Sequence, residues 1–231
     1  MGKTIELTAA DGHKLDAYVA EPKGKPRGAI VVVQEIFGVN SHVRGVTDGY
    51  AADGYLAIAP AMFDRVERKF ESGYSQDDIQ RGREAKEKVG WDQAMADVAA
   101  ALAAVKHAGK VGIVGYCWGG TVVWLAASRV PGLAAAVSYY GGGVPDFMDE
   151  KPLCPVMFHF GEKDASIPLE KAKATAAAHP NAASHFYPAG HGFNCDQRGS
   201  FDAIAARVAR ERTLEFFAKH LAESASPHFV S

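Results

Sequence analysis

The chain contains a cysteine, an aspartate and a histidine, in that order, whose local surroundings favour nucleophilic catalysis. A thiol nucleophile needs a base that takes its proton and later returns it to the leaving group. That base in turn needs an acid that fixes its tautomer and stabilises its charged form. Cys117, His191 and Asp164 can supply these three parts. The sequence therefore predicts covalent catalysis by Cys117.

The pattern around Cys117 is KVGIVGYCWGGTVVWLAA, at residues 110–127. A β-type run enters a glycine-rich corner, and a helical pattern leaves it. Glycines two residues before and two residues after Cys117 let the strand and the helix approach closely, so that the thiol projects into solvent. The helix N-terminus carries a partial positive charge, which favours the thiolate. An inert core cysteine also fits this corner taken alone, so the partner residues decide.

The two partner residues occupy settings that suit a site. Asp164 directly follows the predicted strand and turn VMFHFGEKD, and His191 lies between two glycines in AGHGF, where a loop can bend over a cleft. Taken singly, each side chain also fits a solvated surface position. We expect them to meet because functional residues gather at the carboxyl ends of the strands in open α/β sheets.

A second group of candidates lies at the end of the apolar run Gly28–Gly38. Glu35 is a carboxylate at the predicted strand edge, so it is either a surface residue or part of a site. The backbone N–H groups of Ile36 and Trp118 are candidates for an oxyanion hole. Such a hole combines the residue after the nucleophile with one from an earlier strand-end loop. The side chains of both residues fit ordinary packing positions as well.

Strands alternate with helices along the rest of the chain, which predicts an α/β fold with a mainly parallel central sheet and helices on both faces. Predicted strands cover residues 4–7, 14–19, 28–38, 55–59, 111–114, 133–140, 155–160 and 184–187. Predicted helices cover about 41–51, 78–88, 92–107, 118–127, 168–179 and 200–221. The last helix is expected to bury Phe201, Ile204, Val208, Phe217 and Leu221. We expect one domain over residues 1–231, with residues 60–90 overhanging the site and no large lid domain.

Composition narrows the class of partner. With 48% hydrophobic residues and a net charge of −2, the chain can bury a substantial core but offers no basic stripe for nucleic acid and no polybasic membrane patch. The expected partner is a small molecule, and the expected state is a monomer or weak homo-oligomer. The three cysteines are an odd number without metal-ligand spacing, and the N-terminal residues lack an apolar signal region. We expect a cytoplasmic protein.

Four motifs together resemble the dienelactone hydrolase family of α/β-hydrolases. They are QEIFG at Gln34–Gly38, GYCWGG at Gly115–Gly120, HFGEKD at His159–Asp164 and GHGF at Gly190–Phe193. The resemblance implies the α/β-hydrolase fold, a Cys117 nucleophile in a triad with Asp164 and His191, and an oxyanion hole from Ile36 and Trp118. It also implies that Glu35 interacts with the resting thiol, and that no cofactor or metal is needed.

One position departs from the family pattern. The chlorocatechol-pathway members that this sequence resembles carry an arginine four residues after the histidine, and it grips the substrate carboxylate. This chain has Cys195 there, which argues against dienelactone itself as the substrate. Other candidates for substrate contact are Arg81, Arg83, Arg198, Tyr74, Tyr139 and Phe193. Surface charge is the alternative for the arginines, and core packing is the alternative for the aromatic residues.

Three functional hypotheses follow. The first is a carboxylic-ester hydrolase acting on small lactones or activated esters through a thioester intermediate. The second is a thiol redox or detoxification protein in which Cys117 is oxidised or alkylated, although no second cysteine lies at a C-x-x-C spacing. The third is a non-catalytic small-molecule binding module on the same fold.

Overall fold

A computed structural model of the protein describes residues 2–224. The strands are β1 Lys3–Thr8, β2 Lys14–Ala20, β3 Ala29–Val33, β4 Leu56–Pro60, β5 Val111–Tyr116, β6 Leu133–Tyr139, β7 Val156–Gly161 and β8 Ala183–Tyr187. The helices are α1 Ser41–Ala52, α2 Gln76–Glu87, α3 Trp91–Val105, α4 Trp118–Arg129, α5 Leu169–Ala178 and α6 Ala203–His220.

All eight strands form one sheet in the order β1-β2-β4-β3-β5-β6-β7-β8. The β1–β2 hairpin lies at one edge and pairs antiparallel, as does β2 with β4, while every other neighbouring pair is parallel. The central strands β3 and β5 are fully buried, which fits their continuous apolar sequences. The predicted mainly parallel sheet and its edge hairpin are confirmed.

Two glycines of β5 show how helices cover both faces of the sheet. A Cβ atom on Gly112 would lie 2.7 Å from the ring of Phe217 in α6, and one on Gly115 would lie 2.1 Å from the carbonyl oxygen of Gly119 in α4. Residues three apart in a strand point to opposite faces, so α6 and α4 cover opposite sides. Helix α1 packs beside α6, where the Tyr50 and Phe217 rings are 6.2 Å apart.

The structure corrects two predicted elements. Strand β3 ends at Val33 rather than near Gly38, because the chain leaves the sheet at Gln34 and turns towards the site. Helix α6 buries Ala205, Ala209, Thr213 and Phe217 at a spacing of four residues. Phe201 and Ile204, which were expected on its inner face, are instead 40% and 71% exposed.

Residues 61–90 are the part of the β4–β5 connection that precedes α3, and they contain α2, which begins at the capping box of Ser75 and Asp78. Gly82 and Ala85 are the buried residues of this helix, so α2 rests on the protein without a core of its own. Within residues 2–224, every helix is too short or too polar to cross a membrane. The single domain over residues 1–231 stays a prediction.

Candidate active site

Cys117 occupies the sharp corner between β5 and α4. Its backbone has φ 59° and ψ −122°. Residues other than glycine rarely adopt this conformation, which costs about 1–3 kcal/mol. Gly115 and Gly119 make the corner possible. A Cβ atom on Gly119 would lie 2.3 Å from the carbonyl oxygen of Gln34, and one on Gly115 would clash with Gly119. The G-x-C-x-G spacing is therefore a steric requirement of this corner.

Three side chains from distant parts of the chain form a continuous hydrogen-bonded series. The Sγ atom of Cys117 lies 3.0 Å from Nε2 of His191, and Nδ1 of His191 lies 2.8 Å from Oδ2 of Asp164. The other carboxylate oxygen of Asp164 accepts hydrogen bonds from the backbone N–H groups of Ser166 and Ile167. The Asp164 side chain is fully buried, so its position is fixed by the turn after β7.

His191 is held in its charged form by its neighbours. Burial disfavours the imidazolium, but the Cys117 sulfur and the hydrogen bond to Asp164 outweigh that effect and raise the pKa of His191 to about 10. A positive imidazole beside the sulfur stabilises a thiolate. The pair can therefore store the nucleophile as an ion pair before a substrate arrives.

Two backbone N–H groups are free beside the thiol. Within residues 2–224, the amides of Ile36 and Trp118 donate to no protein acceptor. Trp118 is the first residue of α4, where helix geometry leaves the N–H groups unpaired. Ile36 lies in the turn that leaves β3, and both residues line the same cavity as Cys117. They can donate to an oxyanion that forms there.

Glu35 lies behind this cavity and is 2% exposed. Its Oε1 accepts a hydrogen bond of 2.8 Å from Nη1 of Arg198, while its Oε2 has no hydrogen-bond partner among the described residues. The family resemblance led us to expect Glu35 against the resting thiol, but the hydrogen-bond partner of the Cys117 thiol is His191. The carboxylate instead holds the guanidinium of Arg198.

The cavity beside the thiol has a volume of about 660 Å³. Its lining combines apolar and aromatic side chains with three cations. The apolar side chains include Ile36, Ile79, Trp91, Trp118 and Phe147, and the cations are Arg83, Lys86 and Arg198. The acids Glu87 and Asp146 also border the cavity. The arrangement suits a small molecule with an apolar body and an anionic group.

A family model for the dienelactone hydrolase family matches residues 15–221 of this chain. The chain belongs to that family. A carboxymethylenebutenolidase from Pseudomonas putida is 33% identical over 93% of this chain and 95% of that protein. A Synechocystis protein provisionally given the same name is 35% identical over 95% of this chain and 98% of its own length.

A crystal structure from Klebsiella pneumoniae, provisionally described as a dienelactone hydrolase, is similar throughout. It has 32% sequence identity and a TM-score of 0.83, and the match covers 95% of this chain and 99% of that one. Family membership and this structural match identify the α/β-hydrolase fold and a carboxylic-ester hydrolase.

In this dienelactone hydrolase family member, Arg198 rather than residue 195 brings an arginine to the cavity. Cys195 is fully buried, and burial together with the charge of Glu35 raises the pKa of its thiol to about 11. Gly192 has φ +80°, and a Cβ atom there would lie 2.5 Å from Nη1 of Arg198. The second glycine of the GHG motif therefore leaves room for the Arg198 guanidinium.

Three predicted substrate contacts lie away from the cavity of this hydrolase. Arg83 faces the cavity, and residues two apart on a helix point in nearly opposite directions. Arg81 therefore points away from the cavity, where it pairs with Glu67 at 2.9 Å. Tyr139 is buried, and its hydroxyl bonds Thr213 on the α6 side. Phe193 is buried and packs against the ring of Tyr187.

The neighbouring Tyr140, which the sequence did not single out, contacts the site instead. Its ring centroid lies 5.2 Å from that of His191. The residue follows the end of β6 with φ 36°, and its ring also packs edge-on against that of Phe193. The only sequence signal was its place between a strand and three glycines.

The remaining candidate, Tyr74, packs edge-on against Phe37, with ring centroids 4.5 Å apart.

Proposed function

We propose that this chain hydrolyses small lactones or activated esters through a covalent thioester on Cys117. The observation that carries the proposal is the series from Cys117 Sγ to His191 Nε2 at 3.0 Å and from His191 Nδ1 to Asp164 Oδ2 at 2.8 Å. This is the arrangement of nucleophile, base and orienting acid that acyl transfer requires. The unpaired amides of Ile36 and Trp118 beside the thiol support it further.

In the first half of the reaction, the Cys117 thiolate attacks the ester carbonyl carbon, and the carbonyl oxygen takes up the negative charge. The amides of Ile36 and Trp118 donate to that oxyanion. When the tetrahedral intermediate collapses, the bond to the ester oxygen breaks and the imidazolium of His191 protonates the departing alcohol. A lactone opens at this step, and the acyl group remains on sulfur.

In the second half, neutral His191 takes a proton from a water molecule that attacks the thioester carbonyl. Collapse of this second intermediate expels the Cys117 thiolate and releases the carboxylic acid, while His191 keeps the proton and restores the ion pair. A thiolate is a good leaving group, so it is expelled from the first intermediate whenever the competing group leaves poorly. Amides should therefore be poor substrates.

The proposed substrate carries a carboxylate close to the ester. Arg198, held by Glu35 at 2.8 Å, and the nearby Arg83 and Lys86 give the cavity its positive side. An arginine binds a carboxylate through two parallel N–H donors. The name of the Pseudomonas putida relative denotes a butenolide, which is a lactone. We therefore propose that Arg198 takes the substrate-binding role that residue 195 cannot.

The central experiment measures turnover of p-nitrophenyl acetate by the wild type and by Cys117→Ala and His191→Ala. We expect both variants to lose about 1,000-fold or more in kcat/KM, while Cys154→Ala, a control cysteine elsewhere in the chain, retains full activity. Intact-mass spectrometry of His191→Ala mixed with the ester is expected to show an acetyl adduct on Cys117. Full turnover by Cys117→Ala, or peroxide-sensitive thiol chemistry without ester turnover, would contradict the proposal.

A second experiment compares a neutral ester with one that carries a carboxylate. In Arg198→Met, KM for the anionic ester should rise about tenfold or more relative to the neutral ester, because the loss of a charge-assisted hydrogen bond costs about 1.5–3 kcal/mol. Arg81→Met is the matched control, since Arg81 pairs with Glu67 outside the cavity. An equal change in KM for both esters would remove Arg198 from carboxylate recognition.

We further propose that the hydrolysis needs no metal or cofactor and that residues 1–231 form one domain. We also propose that the protein is a monomer or weak homo-oligomer that binds neither nucleic acid nor membranes. The three free thiols, Cys117, Cys154 and Cys195, support a reducing compartment such as the cytoplasm.

A further inference from the structure

Behind the catalytic cavity, three buried side chains of metal-binding type converge. They are Glu35, His42 at the first turn of α1, and Cys195 in the loop after His191. One carboxylate oxygen, one imidazole nitrogen and the sulfur all lie within 4.8 Å of one another. Of these three residues, the hydrolytic mechanism uses only Glu35, and only to hold Arg198.

The cluster contains a polar atom that the protein leaves without a partner. Glu35 is 2% exposed, and its Oε2 has no hydrogen-bond partner among the described residues. A buried carboxylate oxygen without a donor costs about 1–3 kcal/mol or more, so such atoms call for an explanation. A cation bound by the cluster would satisfy it.

The other two side chains are held by neighbours of the kind found around metal ligands. Nδ1 of His42 lies 3.4 Å from Oδ1 of Asp196, which leaves Nε2 as the nitrogen available to an ion. Histidine ligands commonly have a carboxylate on their second nitrogen, where it orients the ring. Cys195 lies beside Tyr74, whose hydroxyl accepts from the Asn40 side chain at 3.0 Å.

We propose that Glu35, His42 and Cys195 form a binding site for a thiophilic divalent cation of the Zn²⁺ class. Sulfur, imidazole and one carboxylate form a donor set that zinc accepts with a tetrahedral geometry and one position left open. Ligand atoms around such an ion lie about 3.3–3.8 Å apart given the usual bond lengths. The cluster therefore needs only small side-chain movements to close on it.

Charge balance agrees with a divalent ion. The Cys195 thiolate, Glu35 and Asp196 carry three negative charges, which offset the two charges of the ion and the one charge of Arg198, the partner of Glu35. A metal binds the thiolate, so coordination replaces the proton of Cys195. No sequence motif indicates this site, because its members are seven and more than one hundred residues apart, and only the fold brings them together.

The test is a Zn²⁺ titration of the wild-type protein in competition with a chromophoric chelator. We expect one tightly bound ion, and at least about 100-fold weaker binding in Cys195→Ser and in His42→Gln. Asp196→Asn, at a side chain that is 68% exposed, should bind about tenfold more weakly, because loss of a partner behind a ligand typically costs 10–100-fold. Circular dichroism without metal checks that each variant is folded.

Two controls separate this site from the catalytic pair. Cys117→Ala and Cys154→Ser should keep the affinity of the wild type. With Co²⁺ in place of Zn²⁺, the wild type and Cys117→Ala should show a thiolate-to-cobalt charge-transfer band that Cys195→Ser lacks. Loss of the ion in Cys117→Ala, unchanged affinity in Cys195→Ser, or no stoichiometric binding by the wild type would overturn the proposal.

Discussion

Among residues 2–224, two histidines have hydrogen bonds on both ring nitrogens, but the pKa of one is raised and the pKa of the other is lowered. His191 bonds Asp164 and Cys117, and its pKa is raised to about 10. His159, in the middle of β7, bonds the hydroxyls of Tyr187 and Thr213 at 2.9 Å each. Burial lowers the pKa of His159 well below its ordinary value. Burial and the number of hydrogen bonds therefore do not distinguish the two rings.

The direction of each hydrogen bond accounts for the difference. The Thr213 hydroxyl donates to the carbonyl of Ala209, so it accepts from Nε2–H of His159 and from the hydroxyl of Tyr139. Nδ1 of His159 then accepts from the hydroxyl of Tyr187. In this arrangement Nδ1 of His159 carries no proton, and a second proton there would displace the hydrogen bond that Tyr187 donates.

Around His191 the partners can take a negative charge. Asp164 accepts from Nδ1, and the Cys117 sulfur shares the remaining proton with Nε2. That proton can move between sulfur and nitrogen, which general acid–base catalysis requires. The comparison indicates that hydroxyl partners hold a buried histidine in its neutral form, whereas a carboxylate and a thiol allow it to take up and release a proton.

The largest expected effect is on turnover. His191→Gln should lower kcat/KM for an activated ester by about 1,000-fold or more, because it removes the base. His159→Gln should keep kcat/KM per folded molecule within about twofold while lowering the melting temperature. Active-site titration of both variants, with thermal unfolding alongside, makes the measurement. Equal losses of turnover in the two variants would break the distinction.

The next effect is on the pKa of His191. In Cys117→Ala, we expect this pKa to fall from about 10 by two pH units or more, because the sulfur is the largest neighbour that raises it. NMR titration of the imidazole protons measures the change, and the His159 signals in the same spectra serve as the internal control. A His191 pKa that stays near 10 without the thiol would assign the effect to Asp164 alone.

The two histidines also predict opposite effects of pH on stability. The pKa of His191 is raised on folding, so its contribution is complete below about pH 6.5, its ordinary pKa, and is lost as the pH rises through 10. The pKa of His159 is lowered, so protonation of the unfolded chain destabilises the fold as the pH falls through about 6.5. Urea unfolding from pH 5 to pH 10 should show a larger alkaline loss in the wild type than in Cys117→Ala.

A smaller effect is expected within the locked network. Thr213→Val leaves both His159 and Tyr139 without their acceptor, which should cost about 2–6 kcal/mol of unfolding free energy at about 1–3 kcal/mol for each buried group. Turnover per folded molecule should not change. Chemical denaturation measures the first quantity, and a fall in turnover would connect the network to catalysis.

Tyr187→Phe should have the smallest effect. It removes one hydroxyl that donates to His159 and accepts from Arg212 at 3.1 Å, and Arg212 can turn to solvent. We expect a loss of about 1–2 kcal/mol, measured in the same denaturation series. A cost larger than that of Thr213→Val would show that the proton of His159 lies on Nδ1 instead of Nε2.

Local sequence was enough to predict the elements that bring Cys117, Asp164 and His191 together. Each lies at the end of a buried strand or between glycines, and the sterics of those positions leave few conformations open. The start of α1 depends on a similarly local contact, because the Asn40 side chain caps the helix by accepting from the N–H of Val43. These signals depend on neighbours within a few residues, so they can be read without the fold.

Where the sequence offered several candidates, which of them reaches the site depends on contacts across the chain. Arg198 reaches the cavity only because Gly192 leaves room for it, and the choice between Tyr139 and Tyr140 depends on where β6 ends. The inner face of α6 follows Thr213, whose partners come from β6 and β7. The larger apolar residues near the start of α6, Phe201 and Ile204, predicted a different inner face, because hydrophobicity was the only guide.

The side chains of helix α2 that line the cavity are different from those that attach the helix to the protein. Its buried residues, Gly82 and Ala85, attach it to the protein, and Gly82 lets it approach the Ile36 carbonyl. Arg83, Lys86 and Glu87 face the cavity from the same helix, while the sheet beneath supplies the chemistry. Substitutions at these three side chains could therefore change which esters the cavity accepts, with little loss of stability in the rest of the fold.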